Sequence, residues 1–126
     1  MTKSVKDMVA EAKAKVENLD SAAVTDEMER GAVLVDLRDD SEVAETGRIP
    51  GSVHVPRGML EFRADTTSPS HDDALDPSQR VILHCAGGGR SALAAVTLQE
   101  MGYTNVAHLE GGIKAWAEQG NPVERV

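Results

Sequence analysis

One stretch of this chain combines a soft nucleophile with a backbone able to hold an anion. His84-Cys85-Ala86-Gly87-Gly88-Gly89-Arg90-Ser91 carries the only cysteine of the 126 residues. The apolar run Val81–Cys85 before it predicts a strand, and Ser91–Met101 after it predicts a helix that Gly102 stops. The three glycines therefore lie at a strand-to-helix junction. Glycine takes φ > 0 without steric cost, so the loop can curl tightly and aim several backbone N–H groups into one small bowl at the helix N-terminus. A cysteine at the rim of such a bowl is favoured as thiolate over thiol and becomes a nucleophile near neutral pH. Arg90 adds a permanent cation, and residues 80–95 hold Arg80 and Arg90 with no carboxylate, whereas residues 26–45 hold eight acids and two arginines. The plain alternative is a buried, inert cysteine followed by a glycine turn. Gly87-x-Gly89-x-x-Ala92 with Glu110 further on also echoes a dinucleotide-binding pattern. That unit normally opens its domain, and here sixteen residues follow Glu110.

Other chemistry-bearing residues read more plainly. His84 and Cys85 are adjacent on a strand, so they point to opposite faces and do not share a metal. No metal and no cofactor are expected. His54 and His108 fall on strands, at core or edge positions, and His71 is the histidine placed to reach the pocket. Asp36 and Arg38 end a strand and suit a structural ion pair beside the site. Arg48 suits a similar supporting role. Met59 and Phe62 suit packing, and Trp116 suits a core anchor of the last helix.

The elements that must position the cysteine follow from periodicity. Val5, Met8, Val9, Ala12, Val16 and Leu19 recur at steps of three and four, which predicts an amphipathic helix over about residues 5–18 capped by Ser4. Residues 1–20 are read as this helix packed on a domain formed by residues 21–126. Within the domain, a short helix over 21–30 ends near Gly31. Ala32–Val35 suits a strand buried on both faces. A helix capped by Asp40 or Ser41 stops at Gly47, Ile49-Pro50-Gly51 turns, and Val53–Val55 is a minimal strand. Residues 57–79 are least regular and suit a functional or mobile connection, with a helical turn or two in Gly58–Ala64. Val106–Leu109 predicts a strand and Ile113–Glu118 the last helix. Alternating short strands and helices predict an α/β domain with a mainly parallel sheet. Net charge −8 argues against the broad basic surface of a nucleic-acid binder. One cysteine excludes an internal disulfide and a multi-cysteine metal site. Residues 1–20 are charged throughout, and no apolar run approaches the ~20 residues of a membrane span, so a cytoplasmic protein is expected.

Three blocks together resemble the rhodanese-like sulfurtransferase family. The first is Val35-Asp36-Leu37-Arg38 through Gly47-Arg48-Ile49-Pro50-Gly51-Ser52-Val53-His54-Val55-Pro56, the second the Cys85–Ser91 loop, the third Leu109-Glu110-Gly111-Gly112-Ile113-Lys114-Ala115-Trp116. The resemblance implies a three-layer fold with a central sheet of about five strands and helices on both faces. It implies that Cys85 takes a sulfane sulfur from a donor such as thiosulfate, held as a persulfide by the loop residues Ala86, Gly87, Gly88, Gly89, Arg90 and Ser91. A cyanide, a thiol or a protein cysteine would then accept it. Asp36, Arg38 and Arg48 are supporting residues in this scheme, and a monomer or weak dimer is expected. Two features depart from the family pattern. Arg48 stands where histidine is common, and Ala86 stands where thiosulfate-type members carry a second basic residue. Cysteine phosphatases resemble one branch of this fold but place five residues between cysteine and arginine; here there are four. A narrower bowl suits sulfur better than phosphate. The alternatives are a relay or binding module of the same fold and, further off, a phosphatase or arsenate reductase.

Overall fold

Aliphatic runs too short for helices form the centre of the molecule. The computed structural model describes residues 2–126. In chain order the elements are α1 (Val5–Lys15), β1 (Glu17–Leu19), α2 (Ser21–Glu29), β2 (Val33–Asp36), α3 (Asp40–Thr46), β3 (Val53–His54), a 3₁₀ turn (Arg57–Met59), α4 (Leu60–Ala64), β4 (Val81–His84), α5 (Gly89–Glu100), β5 (Val106–Leu109) and α6 (Gly112–Glu118). The five strands form one sheet in the order β1-β5-β4-β2-β3, and every pairing is parallel. The central strand β4 and its neighbour β5 are buried along their whole length. That explains why they read as largely apolar runs, each with one histidine, rather than as an alternation.

Successive strand residues supply two separate cores. Val35, Val81, Leu83 and Val106 pack with Leu60 and Ala64 of α4 and Ala94, Ala95 and Leu98 of α5. Leu34, Ile82, Ala107 and Leu109 pack with Val24 of α2 and with Ile113 and Trp116 of α6. This is the expected three-layer arrangement. α1 lies outside α5 and packs against it.

The helix expected over 5–18 ends at Lys15, and its continuation is a strand. At Val16 the backbone is extended (φ −122°, ψ 162°). Glu17–Leu19 then pairs with Ala107–Leu109. The cause is an ambiguity of spacing. A three-residue step puts two side chains on one side of a helix but on opposite faces of an extended chain. Val16 enters the α5-side core and Leu19 the α6-side core, so the apolar pair serves the strand. The other end of the stripe faces solvent, with Val5 and Met8 exposed.

Residues 57–79 are anchored rather than loose. Leu60, Ala64 and Leu75 are fully buried in the α5-side core, and the Tyr103 hydroxyl donates to the Ala64 carbonyl at 2.7 Å. Asp65, Asp72 and Asp76 each accept a backbone N–H two residues on, which fixes the turns locally. His71 stays within this segment, its Nε2 2.9 Å from the Leu75 carbonyl. No helix among the described residues is long and apolar enough to cross a membrane.

Candidate active site

The loop after β4 is shaped from below by the start of α6. The N–H groups of Ile113 and Lys114 donate to the carbonyls of Cys85 (2.9 Å) and Ala86 (3.1 Å). Those carbonyls are thereby committed to α6. Gly112, at φ +61°, has no room for a side chain: a Cβ there would lie 2.5 Å from the Cys85 carbonyl oxygen and closer still to that of Ala86. Gly88, at φ +107°, precedes α5 as its N-cap residue. The paired glycines of the third sequence block thus form the seat on which the loop rests.

With the carbonyls held below, the amides serve the sulfur. The Gly88 N–H donates to Cys85 Sγ at 3.1 Å. The N–H groups of Gly87, Gly89 and Arg90 donate to no backbone carbonyl among the described residues. For the first residues of a helix that is the general condition, and it leaves donors for an anion. Cys85 is only 1% exposed, so the sulfur lies on the floor of the loop and not at the rim expected from sequence.

A polar chain leads away from the sulfur into the sheet. Cys85 Sγ lies 3.6 Å from Ser91 Oγ, and Ser91 Oγ lies 2.9 Å from His108 Nδ1. His108 Nε2 is 2.7 Å from Asn18 Oδ1. Ser91 and His108 are both fully buried. Burial holds His108 below the usual imidazole range, Glu110 working against it and Lys13 with it. Sequence reasoning placed His108 on a strand without a role and did not single out Asn18, which sits on the strand read as helix.

Arg90 is placed differently from its expected role toward an anionic donor. Its guanidinium makes a two-pronged pair with Glu42 of α3, at 2.7 and 2.9 Å. The loop region lacks carboxylates in sequence, but the fold imports one. The Arg90 hydrogen bond is the main reason the Glu42 carboxyl is lowered to about 2. Glu42 also accepts the Asp39 N–H in a capping box, a sequence signal that could have drawn attention to it.

The supporting residues separate into two places. Arg38 is buried and bonds both Asp36 oxygens, the Thr46 hydroxyl and the Gly47 carbonyl, all within 3.0 Å. Burial works to raise the Asp36 carboxyl, but the bonds to Arg38 outweigh it and hold the carboxyl below its usual range. His84 lies behind this pair, kept low by burial, with Nε2 3.7 Å from Asp36 and without a hydrogen-bond partner. Arg48 instead fastens the C-terminal segment, through its side chain to Glu124 (3.0 Å) and through two backbone bonds to the same residue (2.8 Å each). A cleft of about 610 Å³ opens beside the loop between α3 and α6, lined by Glu42, Glu45, Ala86, Ile113, Lys114 and Val123 among others. It reaches the loop at Ala86, and neither Cys85 nor any residue of 57–79 lines it. No group of three or more potential metal ligands occurs among the described residues.

A five-stranded parallel sheet whose fourth strand delivers a cysteine into a glycine loop can now be compared with known proteins. Residues 20–119 match the rhodanese-like domain. The chain belongs to the rhodanese-like family. It is 34% identical over 91 residues to a sulfurtransferase of Allochromatium vinosum, covering 72% of this chain and 77% of that one. Among solved structures it resembles a Rhodopseudomonas palustris protein of unknown function, named a possible tyrosine phosphatase, with TM-score 0.91 and 42% identity over 98% of this chain and 96% of the other. It also resembles the polysulfide-sulfur transferase homodimer of Wolinella succinogenes, with TM-score 0.78 and 30% identity over 96% and 87% of the two chains. Two of the three sequence blocks of this rhodanese-like domain are joined at the loop, the third supporting the second from below, and Asp36 of the first lies 3.7 Å from His84, the residue before Cys85.

Proposed function

We propose that the protein is a sulfurtransferase that carries a sulfane sulfur on Cys85. The observation that carries this reading is the Gly88 N–H aimed at Cys85 Sγ at 3.1 Å, at the N-terminus of α5. A donor amide and a helix N-terminus both favour negative charge on the sulfur. The thiolate attacks the outer sulfur of a donor of the thiosulfate class. A Cys85 S–S bond forms, the donor's S–S bond breaks, and sulfite leaves with the electron pair. The persulfide is again an anion, and the N–H groups of Gly87, Gly89 and Arg90 are free of backbone acceptors to receive it. A thiolate or cyanide acceptor then attacks the terminal sulfur and returns Cys85 as thiolate. Ala86 and Ser91 complete the wall of the loop. No cofactor enters this scheme. The lone thiol suits the reducing cytoplasm, and the protein acts as a monomer or weak dimer.

Intact mass after thiosulfate treatment tests this directly. Wild-type protein gains one sulfur, and Cys85→Ser gains none. Turnover with thiosulfate and cyanide then separates an enzyme from a relay module that loads sulfur without rapid transfer. A protein that takes up no sulfur from thiosulfate or polysulfide, yet hydrolyses a phosphate ester, would establish the phosphatase reading suggested by the Rhodopseudomonas relative's name. Two observations weigh against that outcome: only four residues separate Cys85 from Arg90, and the Arg90 fork is already occupied by Glu42.

A further inference from the structure

We propose that Ser91, His108 and Asn18 form a proton relay that takes the Cys85 thiol proton as the sulfur becomes a nucleophile. The direction of the relay follows from its far end. The Asn18 side-chain NH₂ donates to two carbonyls, Lys13 at 2.9 Å and Val16 at 3.1 Å, so its oxygen must face His108. An amide oxygen only accepts, so His108 Nε2 carries the proton. The Glu110 carboxylate, 3.5 Å from the same nitrogen, favours the same arrangement. In the neutral ring Nδ1 is then bare and accepts the Ser91 hydroxyl at 2.9 Å. The Gly88 carbonyl, at 3.3 Å, is the more distant alternative for that hydroxyl. A Ser91 lone pair is left toward the Cys85 thiol at 3.6 Å.

Every link can reverse. The Cys85 proton passes to Ser91 Oγ while the Ser91 proton passes to His108 Nδ1. The electron pair of the broken S–H bond stays on Sγ, where the Gly88 N–H donates to it. Ser91 then donates to the thiolate, and the Nδ1–H donates to Ser91. When the sulfur is handed on, the same chain can return the proton. The charges facing the ring are Glu110 after β5 and Lys13 of α1, themselves paired at 2.6 Å, together with Cys85 at the other end of the relay. Burial keeps the resting ring neutral, which leaves Nδ1 bare, and the charge the ring gains in the transfer is balanced by the thiolate formed at the other end of the chain and by Glu110. Ser91 touches the reacting sulfur, whereas His108 and Asn18 are positioning residues that act through it. The assignment also gives β1 a purpose beyond edge pairing, because that strand alone supplies Asn18.

The inference rests on the sulfur-transfer reading, but its test does not use sulfur transfer. With one cysteine in the chain, ultraviolet absorbance of the thiolate reports Cys85 alone. The one tyrosine, Tyr103, is pushed up to about 12 by burial and stays clear of the titration. Ser91→Ala, and His108→Asn with a non-titrating oxygen in place of Nδ1, should each raise the titration midpoint by about one pH unit. That is roughly a tenfold fall in the acid dissociation constant of the thiol. The double variant should show no further rise, because both changes cut one chain. Urea unfolding confirms which variants are folded, and Ser91→Ala alone decides the matter if His108→Asn does not fold. An unchanged midpoint in folded Ser91→Ala, or additive shifts in the double variant, would overturn the relay. Sulfur loading followed by mass separates the two ideas: loading with an unshifted titration removes only the relay, and a shifted titration without loading removes only the transfer reading.

Discussion

Gly112 and Gly87 make opposite demands on a methyl group. A Cβ at Gly112 would strike the carbonyls that α6 holds, at a φ of +61° that side chains rarely adopt. A Cβ at Gly87 would meet nothing within 4 Å, and its φ is not positive. Gly112→Ala is therefore expected to cost about 2–4 kcal/mol and to abolish most sulfur loading. Gly87→Ala should stay within about 0.5 kcal/mol of wild type. Urea denaturation of the two variants checks both numbers. Equal destabilisation would mean that the α6 seat does not shape the loop. The comparison also shows why glycines of two neighbouring loops need not share a role: one accommodates a close backbone approach and the other lines open space.

At the scale of elements, α3 and α5 meet through Glu42 and Arg90. The pair is partly exposed, 31% and 38% for the two side chains, so its contribution to stability is small. Its larger consequence concerns an anionic donor, because Glu42 cancels the charge that Arg90 brings to the loop. Glu42→Gln should lower KM for thiosulfate by about threefold with kcat little changed. Steady-state kinetics at fixed ionic strength would show it. A rise in KM would mean instead that Glu42 holds Arg90 in its working position. Either result tests whether α3 acts on the site. In sequence, Glu42 reads only as part of the first turn of an acidic helix.

For the molecule as a whole, buried histidines set the response to acid. His84 and His108 are both held below the usual imidazole range, with burial the largest cause. As pH falls below ~6.5, the unfolded chain takes up protons that the folded chain refuses. Stability is therefore full above that value and declines as pH drops through it. A second decline follows below about pH 4.5, where unfolded carboxylates protonate. Asp36, Glu27 and Glu42, all lowered in the fold, then lose their advantage, Glu42 down to about 2. Urea midpoints measured from pH 8 to pH 4 should show the first decline near pH 6. Its absence in a His84→Gln and His108→Gln double variant would assign it to these two rings. A first decline that survives in that variant would assign it elsewhere.

The central strands and the glycine junction were legible in the chain because their causes are local. Val81–His84 and Val106–Leu109 are largely apolar runs wherever they pack, and the block Cys85–Ser91 carries its own turn chemistry. By itself the sequence determined that a lone cysteine would stand between a buried strand and a helix in a parallel α/β domain. Tertiary structure decided what touches that cysteine. Glu42 comes from 48 residues before Arg90 and Asn18 from 90 residues before His108. Partners that far apart leave no periodic trace, since pairing across a sheet depends on which strands lie side by side. The strand carrying Asn18 was hidden for a related reason: a three-residue apolar step fits a helix stripe as well as it fits an extended chain shared between two cores.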